Sequence, residues 1–350
     1  AHGQIYYLSV RATDIAGNVS EILTGDGITI DLTAPEVGSI IDGEGEDIHF
    51  SGSDTTLLAQ WSGFSDELSG IAGYEIAANG GDIYPWTWIG DQSFHTVTGL
   101  ELDHAAVYTM HLRANDIAGN ISAEISTDGV IIDTEPPVSS IEMIGDHFNE
   151  TGWTADTLIQ GTTSDGHSGP GLVEVSIQDL NNDTYWSGSE WVDPVNWVTA
   201  EGTISWSYYI EAGQLNDGTS YLVRPRGTDA VGNVEASYDD DSFTYDTSEP
   251  NTVLNALNEF YGMIDWDSSD PIQGTASDST SGIIEVNVLI QRNSDSFYYD
   301  LEGWNAEEAW QTAEGTDTWS FVLSSDALED SVAYTISARA RDGAGNMGTT

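Results

Sequence analysis

Apolar and polar residues alternate along four segments of the chain, and each segment begins at a tyrosine. The four tyrosines are Tyr6, Tyr108, Tyr221 and Tyr334. After Tyr6, for example, Leu8 and Val10 are apolar, while Ser9 between them is polar. An alternation with a period of two residues is typical of a β-strand that buries one face. The pattern therefore predicts four related strands.

Each of these strands runs into the same polar phrase, Arg-x-x-Asp-x-x-Gly-Asn. The phrase occupies residues 11–18, 113–120, 226–233 and 339–346, and its Asp residues lie 102, 113 and 113 positions apart. Gly and Asn tolerate the positive φ angles of tight turns, so the phrase predicts a hairpin turn. A unit that returns at a nearly constant period indicates tandem modules.

Two more phrases return with a similar period. A linker, Asp-x-x-x-Pro, follows a short β-rich run at residues 31–35, 133–137 and 246–250. A loop, Ser-Asp-x-x-Ser-Gly, stands at residues 65–70, 164–169 and 277–282, ahead of a further predicted strand. Pro ends strand pairing at the linker, and no helical periodicity of useful length is present. About seven short strands per module predict an all-β fold of tandem immunoglobulin-like β-sandwich modules arranged head to tail.

These phrases divide the chain into one partial module and three larger ones. Residues 1–33 are expected to be the C-terminal hairpin of a preceding module, and the first large module covers residues 34–135. The next two cover residues 136–248 and 249–350, and the last of them lacks its final strand. The chain is therefore expected to be a section of a longer array.

The balance of charged residues excludes some classes of partner. The chain has 59 acidic and 7 basic residues, so its formal net charge is −52. Nucleic acid binding needs a basic surface, so no nucleic acid partner is expected. No apolar run is long enough to span a membrane, so no membrane insertion of this segment is expected. Two explanations of the acidity stay open, a solvated surface adapted to high salt and a capacity for divalent cations.

The repeated phrases Tyr-x-x-x-x-Arg-Ala-x-Asp-x-Ala-Gly-Asn and Asp-x-Thr-x-Pro carry a resemblance to a known class of proteins. Over its whole length the chain resembles the tandem bacterial immunoglobulin-like (fibronectin type III-like) repeats of large secreted or cell-surface adhesin-type proteins. The resemblance implies an extracellular or cell-surface location. Some members of the class bind calcium at the joints between modules, so the resemblance also implies calcium as a cofactor.

Chain direction predicts where the three repeated phrases meet. In an immunoglobulin-like sandwich the linker enters beside the loop that precedes the third strand and the turn that follows the sixth. Crowded carboxylates repel one another unless a cation is bound, and calcium accepts about six to eight oxygen ligands in flexible geometry. The alternative is that each Asp caps its own turn through backbone N–H groups. The candidate metal ligands are Asp31, Asp66, Glu67, Asp116 and Asn120 at the first joint, Asp133, Asp165, Asp229 and Asn233 at the second, and Asp246, Asp278, Asp342 and Asn346 at the third.

The repeated Arg predicts a second set of contacts. It accounts for four of the seven basic residues, and a Glu faces outward near the start of the third strand of each large module. The third and sixth strands are antiparallel neighbours, so we expect cross-strand ion pairs worth ~0.2–1 kcal/mol each. The expected pairs are Glu75–Arg113, Glu174–Arg226 and Glu285–Arg339. The alternative is that each Arg only offsets the local negative charge.

Three classes of function are compatible with these patterns. The first is a structural stalk or spacer of an extracellular adhesin or surface filament, rigidified by calcium at its inter-module joints. Its partners would be further modules of the same chain and neighbouring copies in a filament, to which a strand could be donated. The second is a carbohydrate-binding module for surface glycans, and the third is an accessory region of a large secreted hydrolase.

The tryptophans bear on the second class, and the histidines bear on catalysis. Trp191, Trp197 and Trp206 return 113 residues later as Trp304, Trp310 and Trp319. Such rings either stack on sugars or fill the edge of the sandwich, and the identical spacing favours the packing role. No catalytic residue is predicted, because the chain has no cysteine and its seven histidines are expected to share no module position. The chain itself is therefore not expected to be an enzyme.

Overall fold

The computed structural model describes residues 1–142, 145–154, 159–269 and 272–348. The regular secondary structure of these residues is almost entirely β-strand, which confirms the all-β prediction. The helical elements among them are the α-helix Met263–Ser269 and the 3-10 turns Asn79–Gly81, Ala212–Gln214 and Ser325–Ala327. Buried apolar residues form three separate cores. We call the β-structures around them the first sandwich (residues 39–132), the second sandwich (138–245) and the third sandwich (251–342).

Contacts between residues group the chain into two compact units. Unit 1 comprises Ala1–Pro137 together with the loops Asp165–Gly169 and Asp229–Asn233. Unit 2 comprises the other described residues from Val138 onward. The first sandwich thus lies in unit 1, and the cores of the second and third sandwiches lie in unit 2.

The N-terminal residues form two short pairs of antiparallel strands. Ile5–Tyr6 pairs with Ile28–Thr29, and Ser9–Val10 pairs with Leu23–Thr24. The side chains of all four strands are exposed. This hairpin therefore carries the alternating pattern of the repeat without a core that would bury its apolar face.

The first sandwich has one sheet of three strands, one of four, and a further sheet of three short strands in the order 107–108, 130–132, 50–51. The order in the first sheet is 94–98, 56–62, 39–42, and in the second sheet it is 125–126, 110–116, 71–78, 84–90. Along Met110–Asp116 buried residues alternate with half-buried ones, as a period of two requires. The strands are Ser39–Asp42, Phe50–Ser51, Thr56–Ser62, Ile71–Ala78, Tyr84–Gly90, Phe94–Thr98, Val107–Tyr108, Met110–Asp116, Ile125–Ser126 and Val130–Ile132.

The second sandwich has an aromatic core. Phe243 is 1% exposed and stacks on Trp153 and Tyr221, with ring centroids 4.4 Å and 5.2 Å away. Phe148 meets the same cluster edge-on. The strands are Val138–Glu142, His147–Phe148, Ile159–Ser164, Pro170–Asp179, Thr184–Trp186, Trp191–Val192, Val198–Thr199, Ser205–Tyr208, Thr219–Asp229 and Asp241–Tyr245.

The third sandwich repeats much of this arrangement 113 residues later, but it contains a cavity of about 690 Å³. Tyr261, Trp266 and Tyr334 line the cavity and correspond to the aromatic residues that surround Phe243. Among the described residues, which end at Gly348, no strand follows Tyr334–Asp342, and Thr349 and Thr350 lie outside them. The strands are Asn251–Leu254, Gln273–Ser277, Ile283–Arg292, Phe297–Tyr299, Trp304–Asn305, Gln311–Thr312, Glu314–Gly315, Thr318–Ser320 and Tyr334–Asp342.

The tyrosines that open the repeated strands make one recurring hydrogen bond. The hydroxyl of Tyr108 accepts a bond from the N–H of Asp103 at 2.9 Å, five residues upstream. Tyr221 and Tyr334 accept in the same way from Asn216 and Glu329, both at 2.7 Å. This tyrosine corner is a hallmark of immunoglobulin-like sandwiches, and it explains why a tyrosine opens each of these strands.

Candidate metal centres

The three repeated phrases meet at the first joint, as chain direction predicts. Asp31 comes from the linker, Asp66 from the loop and Asp116 from the turn, and each offers a carboxylate oxygen within 4.8 Å of the others. Asp31 is 8% exposed and Asp116 is 2% exposed, so two of the three charges are removed from water. All three residues lie in unit 1.

The second and third joints repeat this geometry. Asp133, Asp165 and Asp229 form one group within unit 1, and Asp246, Asp278 and Asp342 form another within unit 2. The linker Asp is the most deeply buried member of the second group, at 1% exposure. In the third group both Asp246 and Asp342 are 0% exposed. Carboxylates this close and this buried repel one another unless they are protonated or bind a cation.

Turn capping accounts for only one oxygen of each loop carboxylate. Asp66 Oδ1 accepts the N–H groups of Ser69 and Gly70, at 2.7 Å and 2.9 Å. Asp165 and Asp278 use Oδ1 for the equivalent bonds within their own loops. Capping and cation binding are therefore compatible, because the capping bonds engage Oδ1 and leave Oδ2 for another partner.

The asparagine at the end of the repeated turn connects the turn to the linker. Asn120 Nδ2 donates to Asp116 Oδ2 at 2.7 Å and to the carbonyl oxygen of Asp31 at 3.4 Å. Asn233 and Asn346 make the same pair of bonds, each with the Asp of its own turn and the Asp of its own linker. The asparagines thus lie at the carboxylate groups, where they act as hydrogen-bond donors. Glu67 is exposed and does not belong to the first carboxylate group.

The linker carboxylates differ in their electrostatic surroundings. The nearby Ser69 hydroxyl, followed by Thr33, lowers the pKa of Asp31 to about 2, although its Oδ2 is buried without a hydrogen bond of good geometry. Burial raises the pKa of Asp246, and the charges of Asp278 and Asp342 add to this effect despite a hydrogen bond from Ser281. Ionising the linker carboxylate is therefore electrostatically less favourable at the third joint than at the first.

Two histidines occupy the same position in successive repeats, beside the joints. The expectation that no histidines share a module position is therefore wrong. His2 and His104 lie 102 residues apart, and their Nδ1 atoms accept the N–H of Leu32 and Thr134 at 3.3 Å and 3.1 Å. At the third joint Asp217 takes this role and accepts the N–H of Thr247 at 2.6 Å. The shared offset was visible in the sequence, four residues before each repeated tyrosine. The second joint also brings the ring of His167 to 4.8 Å from that of His104, measured between centroids.

The structure forms two of the three expected ion pairs. Arg113 Nε lies 2.7 Å from Glu75 Oε2, and Arg226 Nη2 lies 2.6 Å from Glu174 Oε2. Their side chains are between 21% and 31% exposed, so solvent screens both pairs.

The expected pair Glu285–Arg339 is wrong. Glu285 accepts instead from Arg341, at 2.9 Å and 3.2 Å, and the cross-strand neighbour of Arg339 is Asn287. The residue that lies 113 positions after Glu174 is Asn287, so matching the local Val-Glu-Val pattern misplaced the glutamate by two residues. The third sandwich has moved its ion pair two positions along both strands, which keeps the pair on the outer face.

The repeated arginines of the three sandwiches lie over tryptophan rings. Arg226 is centred 4.2 Å above Trp197 and Arg339 is 4.0 Å above Trp310, and Arg113 covers Trp86 in the same way. Trp206 and Trp319 are buried in their cores. Among the twelve tryptophans, all of which lie in the described residues, only Trp88 is exposed, at 52%. These contacts favour the packing role of the tryptophans over sugar stacking.

Comparisons with known proteins give distant relatives. No family model matches the chain. It is 26% identical over 333 residues to an exoglucanase B of Cellulomonas fimi, and this match covers 92% of the chain but 26% of the exoglucanase. It is 28% identical over 217 residues to an endoglucanase B of Cellulomonas fimi, covering 61% of the chain and 20% of that protein. The chain therefore spans about a quarter or less of the length of these relatives.

Similar solved structures include repeats of large bacterial adhesins. One belongs to a 1.5-MDa bacterial ice-binding adhesin, with 16% identity, a TM-score of 0.39, and coverage of 84% of this chain and 88% of that one. Another belongs to a Ca²⁺-stabilised, ice-binding adhesin of an Antarctic bacterium, with 17% identity, a TM-score of 0.33, and coverage of 99% and 80%. Separately, none of the helices among the described residues has the length and apolarity that a membrane crossing requires.

Proposed function

We propose that this chain is a non-catalytic stalk of three immunoglobulin-like modules, with boundaries at residues 34–135, 136–248 and 249–350, in an extracellular or cell-surface adhesin or filament. Calcium binds at each joint and makes the array rigid. The observation that carries the proposal is the threefold recurrence of one carboxylate group, built each time from a linker, a loop and a turn. Chance clustering in an acidic chain would not reproduce the same three elements and the same asparagine at every joint.

The chemistry of the groups suits calcium. Calcium takes oxygen ligands at about 2.3–2.6 Å, so oxygens on opposite sides of one ion lie about 5 Å apart. The carboxylate oxygens of each group lie within 4.8 Å of one another, and backbone carbonyls of the linkers are adjacent. Bound calcium would remove the repulsion among buried charges and would hold the linker against the loop and the turn of its module.

A second candidate function is that of accessory modules in a large secreted hydrolase. It is favoured by the match over 92% of this chain to part of an exoglucanase. The two candidates agree on the joints and differ in what lies beyond this chain. A glycan array would test for carbohydrate binding, and Trp88→Ala is the variant expected to lose it, because Trp88 is the exposed tryptophan ring.

The test of the stalk proposal measures calcium binding and rigidity together. In a chain stripped of metal with EDTA, calorimetric titration with calcium should show ions bound at the joints. The triple variant Asp31→Asn, Asp133→Asn, Asp246→Asn should lose them, since it removes charge and keeps side-chain size. Glu67→Gln is the matched control, because Glu67 is exposed and outside the first group.

Rigidity can be read from spin labels, because the chain has no cysteine of its own. Labels on introduced cysteines in consecutive modules should give a narrow distance distribution in calcium and a broad one in EDTA. The triple variant should stay broad in both. Absence of calcium heat in the wild type, or equal widths in calcium and EDTA, would contradict the proposal.

A further inference from the structure

Three further carboxylates converge in the first sandwich, outside the three joint groups. Asp42, Asp47 and Asp128 each offer one carboxylate oxygen within 4.8 Å of the others. Asp42 ends the strand Ser39–Asp42, and Asp47 follows it in an acidic loop. Asp128 arrives from more than eighty residues further along the chain, just before the strand Val130–Ile132.

Backbone hydrogen bonds hold the three residues together. The N–H of Asp42 donates to Asp47 Oδ1 at 3.0 Å, and the N–H of Ile48 donates to the carbonyl oxygen of Asp42 at 3.1 Å. Gly43 has a φ of +90°, and a Cβ there would approach the carbonyl oxygen of Glu46 to 2.9 Å, so the reversal of the loop needs glycine. These features place Asp47 beside Asp42 before any ion is present.

The burial of the Asp42 carboxylate indicates that it binds a ligand. It is 1% exposed, and its Oδ2 accepts the N–H of Gly129 at 3.1 Å. Its Oδ1 is buried and makes no hydrogen bond of good geometry among the described residues, although the Thr127 side chain lies close enough to act on this carboxylate. A buried carboxylate oxygen without a well-formed hydrogen bond loses its hydration and gains little in return. Positive charge at this oxygen would compensate the loss, yet no basic side chain is paired with Asp42 in the described part of the chain.

We propose that Asp42, Asp47 and Asp128 bind one calcium ion inside the first sandwich, separately from the ions at the joints. The ligand atoms are hard carboxylate oxygens, and their spread matches the roughly 5 Å between opposite ligands of calcium. Magnesium binds at about 2.0–2.1 Å in near-ideal octahedral geometry, which this loop-borne group fits less well. Asp47 and Asp128 are exposed, so the ion reaches Asp42 from solvent.

The ion would connect the two ends of the first module. The strand Ser39–Asp42 follows the first linker, and the strand Val130–Ile132 leads into Asp133 of the second linker. An ion between Asp42 and Asp128 therefore joins the strand that enters the module to the strand that leaves it. In a stalk, these strands carry load from one linker to the next, and the clamp would resist their separation.

The test counts calcium ions on the full chain after EDTA treatment, by native mass spectrometry with calcium as the probe. The double variant Asp47→Asn, Asp128→Asn should bind one ion fewer than the wild type. The control is Asp82→Asn, Asp91→Asn, which removes two exposed acidic charges of the same sandwich and should bind as many ions as the wild type. The triple variant of the joint aspartates should keep this ion, so failure at the joints and failure here are distinguishable.

A second variant guards against loss of folding. Asp42→Asn should be at least as stable as the wild type in EDTA, because it removes the buried unpaired charge. In calcium it should gain less in unfolding temperature than the wild type. Equal calcium stoichiometry in the double variant and its control would overturn the proposal. So would an Asp42→Asn variant that gains as much as the wild type from calcium.

Discussion

Phe243 is expected to be the most important single side chain for the stability of the second sandwich. Its ring is 1% exposed and stacks on Trp153 at 4.4 Å and on Tyr221 at 5.2 Å, with Phe148 edge-on at 6.0 Å. It also lies on the strand Asp241–Tyr245, which pairs with the long strand Thr219–Asp229. The substitution Phe243→Ala removes a ring that three other rings contact.

The expected loss follows from these contacts. Replacing a buried Phe by Ala costs about 3–5 kcal/mol, because apolar burial is lost and a cavity remains. Each stacked pair adds about 0.5–1.5 kcal/mol beyond its buried area, and Phe243 has two such pairs. The upper end of the range is therefore expected, near 5 kcal/mol. For a sandwich of this size it corresponds to a fall of roughly 20–25 °C in the unfolding temperature.

Differential scanning calorimetry would resolve the second sandwich as one of the transitions of the chain. Phe260→Ala is the matched control, since it makes the same substitution at a side chain that is 82% exposed. The control should shift no transition by more than about 2 °C, because exposed substitutions usually change stability by less than about 0.5 kcal/mol. If Phe243→Ala and Phe260→Ala lowered their transitions equally, the assignment of Phe243 to the centre of the core would be refuted.

Three further predictions test other parts of the structure. Gly274→Ala should destabilise the third sandwich by a few kcal/mol, because its Cβ would overlap the carbonyl oxygen of Val253 and the ring of Trp319, whereas Gly303→Ala, in open space, should not. In EDTA, Glu285→Gln should lower the unfolding temperature slightly above pH 5 and by less as the pH falls below 4.5. The reason is that hydrogen bonds from Asn287 and Arg341 lower the pKa of Glu285, so its contribution is lost when it is protonated; an unchanging difference across this pH range would contradict this account. A peptide with the sequence of residues 238–246 contains Phe243, and the aromatic residues that line the cavity of the third sandwich correspond to those that surround Phe243. The peptide should therefore fill this cavity and raise the unfolding temperature of the third sandwich, while the same peptide with Phe243→Ser should not.

The repeated phrases predicted the fold and the joints because their information is local and periodic. The alternation of apolar residues marks strands, and a tyrosine corner needs a tyrosine at a set distance from its N–H partner. The convergence of Asp31, Asp66 and Asp116 follows from chain direction alone. It needed no knowledge of side-chain packing.

The errors arose where sequence pattern and spatial register diverge. Glu285 stands in a Val-Glu-Val-like context, as Glu174 does. The 113-residue offset, however, gives Asn287 the position of Glu174, and the register is irregular between Ile283 and Glu285. The group at Asp42 was missed for a different reason. It joins residues far apart in the chain, it does not recur among the described residues of the other modules, and the burial of one acid among 59 leaves no mark in the sequence.

The repeated phrase Arg-x-x-Asp-x-x-Gly-Asn combines a local and a long-range role in eight residues. Locally, Asp229 Oδ1 accepts the N–H groups of Val231, Gly232 and Asn233, which shapes the turn. At longer range, Asn233 Nδ2 donates to the carbonyl oxygen of Asp133, one hundred residues earlier. Asp229 closes the hairpin, and Asn233, which is bonded to Asp229, holds the linker. A substitution that relaxed the turn would therefore also release the joint. The carboxylates of the joint are therefore tied to the folding of the module itself, and a cation that neutralises them would stabilise the module and fix its linker in a single binding event.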